Sequence, residues 1–203
     1  MSNPFHGDSS IKKIPKQKRQ KIYGKIKNAV RNLGLENNIS FINLKISKVL
    51  HDNADVDYKN LKNGKISLII GTELINHLSD QIIHHELFHV KDHLYSRISF
   101  GKNIKKESKL MRDLIGEIIN LSIDGRLEKM NLPHISKHKR LKIMKNFLRK
   151  YYNKKFEEKE LKKLFDKIWS KKFSSANEVV YWARKYYEIL KYSNVSFDKS
   201  FAF

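Results

Sequence analysis

Apolar positions follow two different periods along this chain, and the change of period divides it. From Lys16 to Leu33 the apolar residues Ile22, Ile26, Ala29, Val30 and Leu33 recur at helical spacing with lysines opposite them, and Gly34 then fits a helix stop. From Ile39 to Leu50 the period drops to two, with Ile42, Leu44 and Ile46 alternating with polar neighbours, which predicts a strand. The stretch His51 to Gly64 is rich in Asp and Asn and ends in Asn63-Gly64, a hairpin-type turn signal. Lys65 to Ile70 reads as a short buried strand, able to pair antiparallel with the first across that long loop.

Everything after Gly71 has helical spacing. Ser79 is placed to cap a helix reaching about Ser96, with Asp80 in its positive first turn. A second helix, after Asn103, carries Leu110, Leu114, Ile118, Leu121 and Ile123 and ends near Gly125 or Met130. Three more follow at about 136–152, 157–170 and 175–191, the last opening on a capping-box pattern from Ser175 to Glu178. The expected fold class is α+β: a small sheet containing antiparallel pairing, packed on helices, then a basic and mostly helical extension. Three segments are expected, a mobile polar start at 1–15, a core at 16–132, and the extension at 133–203, with the break at Pro133.

Composition narrows the chemistry. The 203 residues hold 42 Lys and Arg against 21 Asp and Glu, a net charge of +21, and no cysteine. Thiol nucleophiles and thiolate metal sites are therefore excluded, so a zinc site would rest on histidine and carboxylate. Apolar runs such as Ile66 to Ile70 are far too short to span a bilayer, and no apolar stretch follows the N-terminal charges, so a cytoplasmic location is expected.

One motif stands out within the helix that follows Ser79: His85-Glu86-Leu87-Phe88-His89. Histidines four residues apart lie one above the other on one helix face, where both imidazoles can reach a single tetrahedral Zn²⁺. Glu86 projects beside such an ion and is placed to take a proton from its water and pass it to a leaving amine. His84 points about 100° away from His85, and His93 lies two turns further on, so both read as structural or solvated. The next helix carries Asp113, Glu117, Asn120 and Asp124 at spacings of four, three and four, a polar stripe bordering its apolar side. In a chain so poor in acids, that file suggests a cation.

The pentapeptide and its apolar-flanked helix resemble the zincin metallopeptidases. Lys91 departs from the apolar residue usual there, and Asp92 and Tyr95 stand where metzincins place a Gly and a third His, so that branch does not fit. Gluzincins take a Glu as third ligand and place an Asp four residues later; here Leu121 follows Glu117 at four and Asn120 precedes Asp124. Asn120-Leu121-Ser122-Ile123-Asp124 is instead similar to the Asn-x-small-x-Asp stretch of small soluble gluzincin-like proteins resembling the catalytic cores of HtpX-type peptidases. What the resemblance implies is a zinc-dependent peptidase acting on a peptide or protein, with Glu86 as base and His85, His89 and Asp124 as ligands. Glu117 is the alternative third ligand, and Asn120 or Glu117 would support the ligand histidines. The same resemblance implies that the strand Lys65–Ile70 binds extended peptide through its edge. Arg126, His138, Tyr151 and Tyr152 are unranked candidates for stabilising an oxyanion.

The positive charge gathers at both ends, from Lys12 to Lys27 and from Lys137 to Lys172. Phe147, Tyr151, Tyr152, Phe156, Phe165 and Trp169 interleave the second cluster, a mixture that suits nucleic acid or another polyanion although helical core packing gives the same spacing. SprT-like proteases combine the same pentapeptide with DNA binding. The competing expectation is thus a DNA-associated protease, or a basic nucleic-acid-binding helical protein whose zincin core is inactive or structural.

Overall fold

A computed structural model describes residues 5–7, 11–50, 53–95, 104, 107–152 and 158–192. The described elements are four strands, β1 (Phe5–Gly7), β2 (Phe41–Ser47), β3 (Ala54–Asp57) and β4 (Lys65–Gly71), and six helices. These are α1 (Lys16–Asn32), α2 (Asp80–Tyr95), α3 (Lys109–Lys129), α4 (Lys137–Tyr152), α5 (Glu158–Ile168) and α6 (Ala176–Tyr192). The chain is α+β and mostly helical. It divides into two compact units, Met1–Arg97 with Leu127–Ile135, and Ile98–Arg126 with Ser136–Phe203. Pro133 lies just ahead of the last of these divisions, whereas the division after Arg126 falls inside α3.

The first unit holds the sheet, in the order β1-β2-β4-β3. Contrary to the antiparallel expectation, β2 and β4 pair in parallel, from Phe41 opposite Lys65 to Ser47 opposite Gly71. The return leg between them is β3, which lies in the stretch expected to be a loop and runs antiparallel to β4 with Ala54 opposite Ile70. Its strand signal was masked because Asp55 and Asp57 flank Val56, the one buried residue of the four. Asn63-Gly64 closes the turn into β4: Gly64 has φ +69°, and an added Cβ would stand 2.8 Å from the Ser40 hydroxyl. Its carbonyl accepts the Ser40 and Phe41 amides at 2.9 and 3.1 Å. Phe5–Gly7, within the segment expected to be a mobile start, pairs in parallel with β2.

This order corrects the peptide-binding role implied for Lys65–Ile70. β4 has a neighbour on both sides, so the sheet edges are β1 and β3. Helix α1 buries Ile22, Ile26, Ala29 and Val30, the face its periodicity predicted, and packs on α2, which also contacts β3. Lys91 finds its reason here. Its ammonium donates to the Leu33 carbonyl at 2.9 Å, at the end of α1 where the helix dipole is negative.

The second unit is a helical cluster. Its core joins Leu114, Ile118 and Leu121 of α3 to Met144 and Leu148 of α4, Leu161 and Phe165 of α5, and Val179 and Ala183 of α6. Helix α3 opens on Ser108, whose hydroxyl accepts the Met111 amide at 3.2 Å; Asn103, expected at its start, lies outside the described residues. At the start of α6 the predicted cap is present, the Ser175 hydroxyl accepting the Glu178 amide at 3.2 Å, while the Glu178 carboxylate accepts from the amide one residue earlier than the box expects, that of Ser174, at 2.8 Å.

Candidate functional site

Helix α2 is built as its sequence requires. The Ser79 hydroxyl accepts the Ile82 amide at 3.3 Å, and Ile83, Leu87, Phe88 and Val90 are buried. That burial fixes which way the remaining face turns. His85 and His89 stand on it together, with ring centroids 5.1 Å apart and planes at 77°. Two imidazoles one helical turn apart lie on the same side of the helix, the arrangement that the spacing of four predicts. His85 is buried, while His89 and Glu86 are half-buried and so keep access to solvent.

The neighbouring histidines take the structural roles expected of them. His84 is buried; its Nδ1 donates to the Asp80 carbonyl at 2.8 Å, which leaves Nε2 to accept from the Asn32 amide at 3.3 Å. The His93 ring lies 4.6 Å, centroid to centroid, from that of Tyr58.

Tyr58 is a residue that the sequence did not single out. It follows β3, which packs on α2, and its phenol senses Glu86. Burial, then the negative charges of Asp55, Asp57 and Glu86, push the phenol above its ordinary value of 10.0, so it stays a protonated donor at neutral pH. Nothing in the local sequence marks it, since the contact depends on the return of the chain through β3.

The acidic stripe of α3 has met a cation, and the cation is a side chain. Asp124 is fully buried, and its Oδ2 accepts from Arg140 Nε at 2.6 Å and Nη2 at 2.5 Å. Glu117 stands 3.9 Å from the same guanidinium. Arg140 is itself buried, four residues before Met144 and eight before Leu148 on the inward face of α4, and that placement was the available signal in a helix otherwise rich in lysine. Asn120 and Asp113 are half-buried on the same helix.

The small residues beside Asp124 have packing roles. The Ser122 hydroxyl donates to the Lys171 carbonyl, and at Gly125 an added Cβ would come within 2.1 Å of the Ser170 backbone nitrogen. Among the described residues no group of three His, Cys, Asp or Glu side chains is gathered closely enough to hold a metal ion. Of the oxyanion candidates, Arg126 donates to the Ser122 carbonyl at 3.3 Å, His138 is exposed, and the side chains of Tyr151 and Tyr152 lie outside the described ones. The aromatics offered for base stacking turn inward where they are described: Phe165 and Trp169 stack at 5.6 Å within the core and Phe147 packs against it, while Phe156 lies outside the described residues. Among the described residues no helix is long and apolar enough to cross a membrane. Compared with protein-family models, with curated proteins and with solved structures, the chain matches none.

Proposed function

We propose that this chain is a zinc-dependent peptidase in which His85 and His89 supply the imidazole ligands and Glu86 is the general base. The observation that carries the reading is the paired orientation of the two rings, 5.1 Å apart, with a half-buried carboxylate at the intervening position. A zinc ion held there would supply Lewis acidity toward water and a peptide carbonyl. Glu86 takes the proton of the attacking water and returns it to the leaving amine. The Tyr58 phenol, which follows β3 where it packs on α2, is a donor that could meet negative charge developing in this region.

For the third ligand the reading rests on the sequence stripe: Asp124 first, Glu117 second. Oδ2 of Asp124 accepts from Arg140, and in this reading the guanidinium fixes the orientation of the carboxylate. Zincin-like packing of the two helices belongs to the same proposal.

Elemental analysis of the purified chain should give about one zinc, lost on His85→Ala. Asp124→Asn should lose the metal and Glu117→Gln keep it; the reverse result assigns Glu117. Glu86→Gln should retain zinc and lose hydrolysis of casein by about 10²-fold or more. A metal-free wild type, or equal casein hydrolysis by wild type and Glu86→Gln, would defeat the proposal.

A further inference from the structure

The basic charge is not spread evenly over the helices. In the second unit part of the charge of α4 is met by α5, with Lys137 3.0 Å from Asp166 and Lys145 2.9 Å from Glu158, while Lys139, Lys142 and Lys150 stay exposed. On helix α1 only Lys25 meets a carboxylate among the described residues. The helix carries Lys16, Lys18, Arg19, Lys21, Lys25, Lys27 and Arg31 and no acidic residue. Lys25 pairs with Asp80 at 3.7 Å and Lys18 donates to the Asn76 side chain, both toward the flank of the helix. Lys16, Lys27 and Arg31 lie on the side away from that flank, Lys21 sits between it and them, and all four are exposed. Among the described residues none of these four pairs with a carboxylate, and Arg31 donates only to the neighbouring Asn28 amide, at 3.4 Å.

These four cations fall within about 140° of the helix circumference and along about 22 Å of its axis. The exposed amides Gln20 and Asn28 lie between them, and mid-face Gly24 leaves the backbone open, with nothing within 4 Å of where a Cβ would stand. The chemistry of that face decides its partner. It offers cations and amide donors and no apolar side chain. A membrane-surface helix needs apolar residues to insert, and a protein interface needs an apolar or aromatic anchor at its centre. A nucleic-acid backbone needs neither. Its phosphates present a negative charge about every 3.4 Å along each strand, so 22 Å of helix spans roughly six of them. Amides and cations together are the groups that bind phosphate oxygens without reading bases.

We infer that the outward face of α1 binds the phosphate backbone of nucleic acid without sequence preference. This site is independent of the proposed metal centre, because none of its residues belongs to α2.

The test is fluorescence anisotropy of the whole chain with a labelled 20-base-pair DNA duplex, titrated between about 50 and 200 mM salt. Four phosphate contacts should give a slope of log affinity against log salt near −3.6. Lys21→Gln, Lys27→Gln and Arg31→Gln together should flatten that slope by about 2.7 and weaken binding roughly 10- to 100-fold at 100 mM salt. Glutamine is a good helix former, so the far-ultraviolet dichroism and melting temperature should hold. The matched triple Lys139→Gln, Lys142→Gln and Lys150→Gln on α4 removes the same charge and should weaken binding much less. His85→Ala should bind the duplex as wild type does, whatever becomes of peptidase activity. Equal losses from the two triples would mean that net charge alone is responsible and would overturn the site. So would an unchanged slope in the α1 triple, or displacement of the duplex by polyglutamate at equal charge concentration, which would identify an acidic polypeptide as the partner.

Discussion

Two polar constellations lie on helices of this chain, and burial has treated them in opposite ways. On α2 one of the paired rings, His89, and the intervening Glu86 stay half-buried, so water can reach them. On α3 Asp124 is sealed from solvent, and its charge is met by a guanidinium at 2.5 Å and 2.6 Å. A carboxylate buried against an arginine holds helices together first of all, because removing it from water is tolerable only while the partner stays. A half-exposed carboxylate costs little to keep charged, because water still solvates it. Acidic spacing on a helix therefore does not by itself distinguish a ligand from a brace. What separates them is the fully buried partner.

The sharpest way to break the comparison is Arg140→Met. It should cost about 3–5 kcal/mol in urea unfolding, since it leaves the Asp124 charge buried without its guanidinium. The double change Arg140→Met with Asp124→Leu should recover most of that loss. The mirror change on α2, Glu86→Gln, should scarcely move the unfolding midpoint. A negligible cost for Arg140→Met would show that Asp124 is not a brace, and would strengthen its case as a ligand.

Next in size is the seat of that brace. Gly125→Ala places a methyl 2.1 Å from a backbone nitrogen of Ser170, which cannot swing aside as a flexible side chain would. The expected loss is about 1–3 kcal/mol by denaturant midpoint, and a stable variant would mean that α3 can shift at this point.

The smallest effect belongs to a carboxylate that stays near the surface. Backbone and side-chain hydrogen bonds from Ser174, with the Lys171 ammonium at 2.9 Å, hold Glu178 below its ordinary 4.5. A depressed carboxylate contributes stability above its unfolded value and loses it as pH falls through the folded one. Wild type should thus exceed Glu178→Gln by under about 1 kcal/mol at pH 7, with the gap closing below pH 4.5. A gap constant with pH would show that the charge plays no part.

Much of this was legible in the chain itself. The faces of α1 and α2, the Ser79 cap and the Ser175 cap depend on neighbours within one or two turns, and those relations are written in spacing. The pairing of His85 with His89 is equally local. The parallel partnership of β2 and β4 was not legible, because it depends on β3 carrying the chain back within a stretch whose aspartates read as loop. Arg140 was hidden among lysines for a similar reason, as its partner lies sixteen residues earlier on another helix.

By itself, then, the sequence determined the helices, their buried faces, the two-histidine pair and the gathering of basic charge at both ends, all of which are read from neighbours along the chain. The tertiary structure alone decided the sheet order, the nearness of Tyr58 to Glu86, and the burial of Asp124 against Arg140. Those depend on which distant segments exclude water together. Burial of that kind belongs to the assembled elements, and no single stretch of chain encodes it.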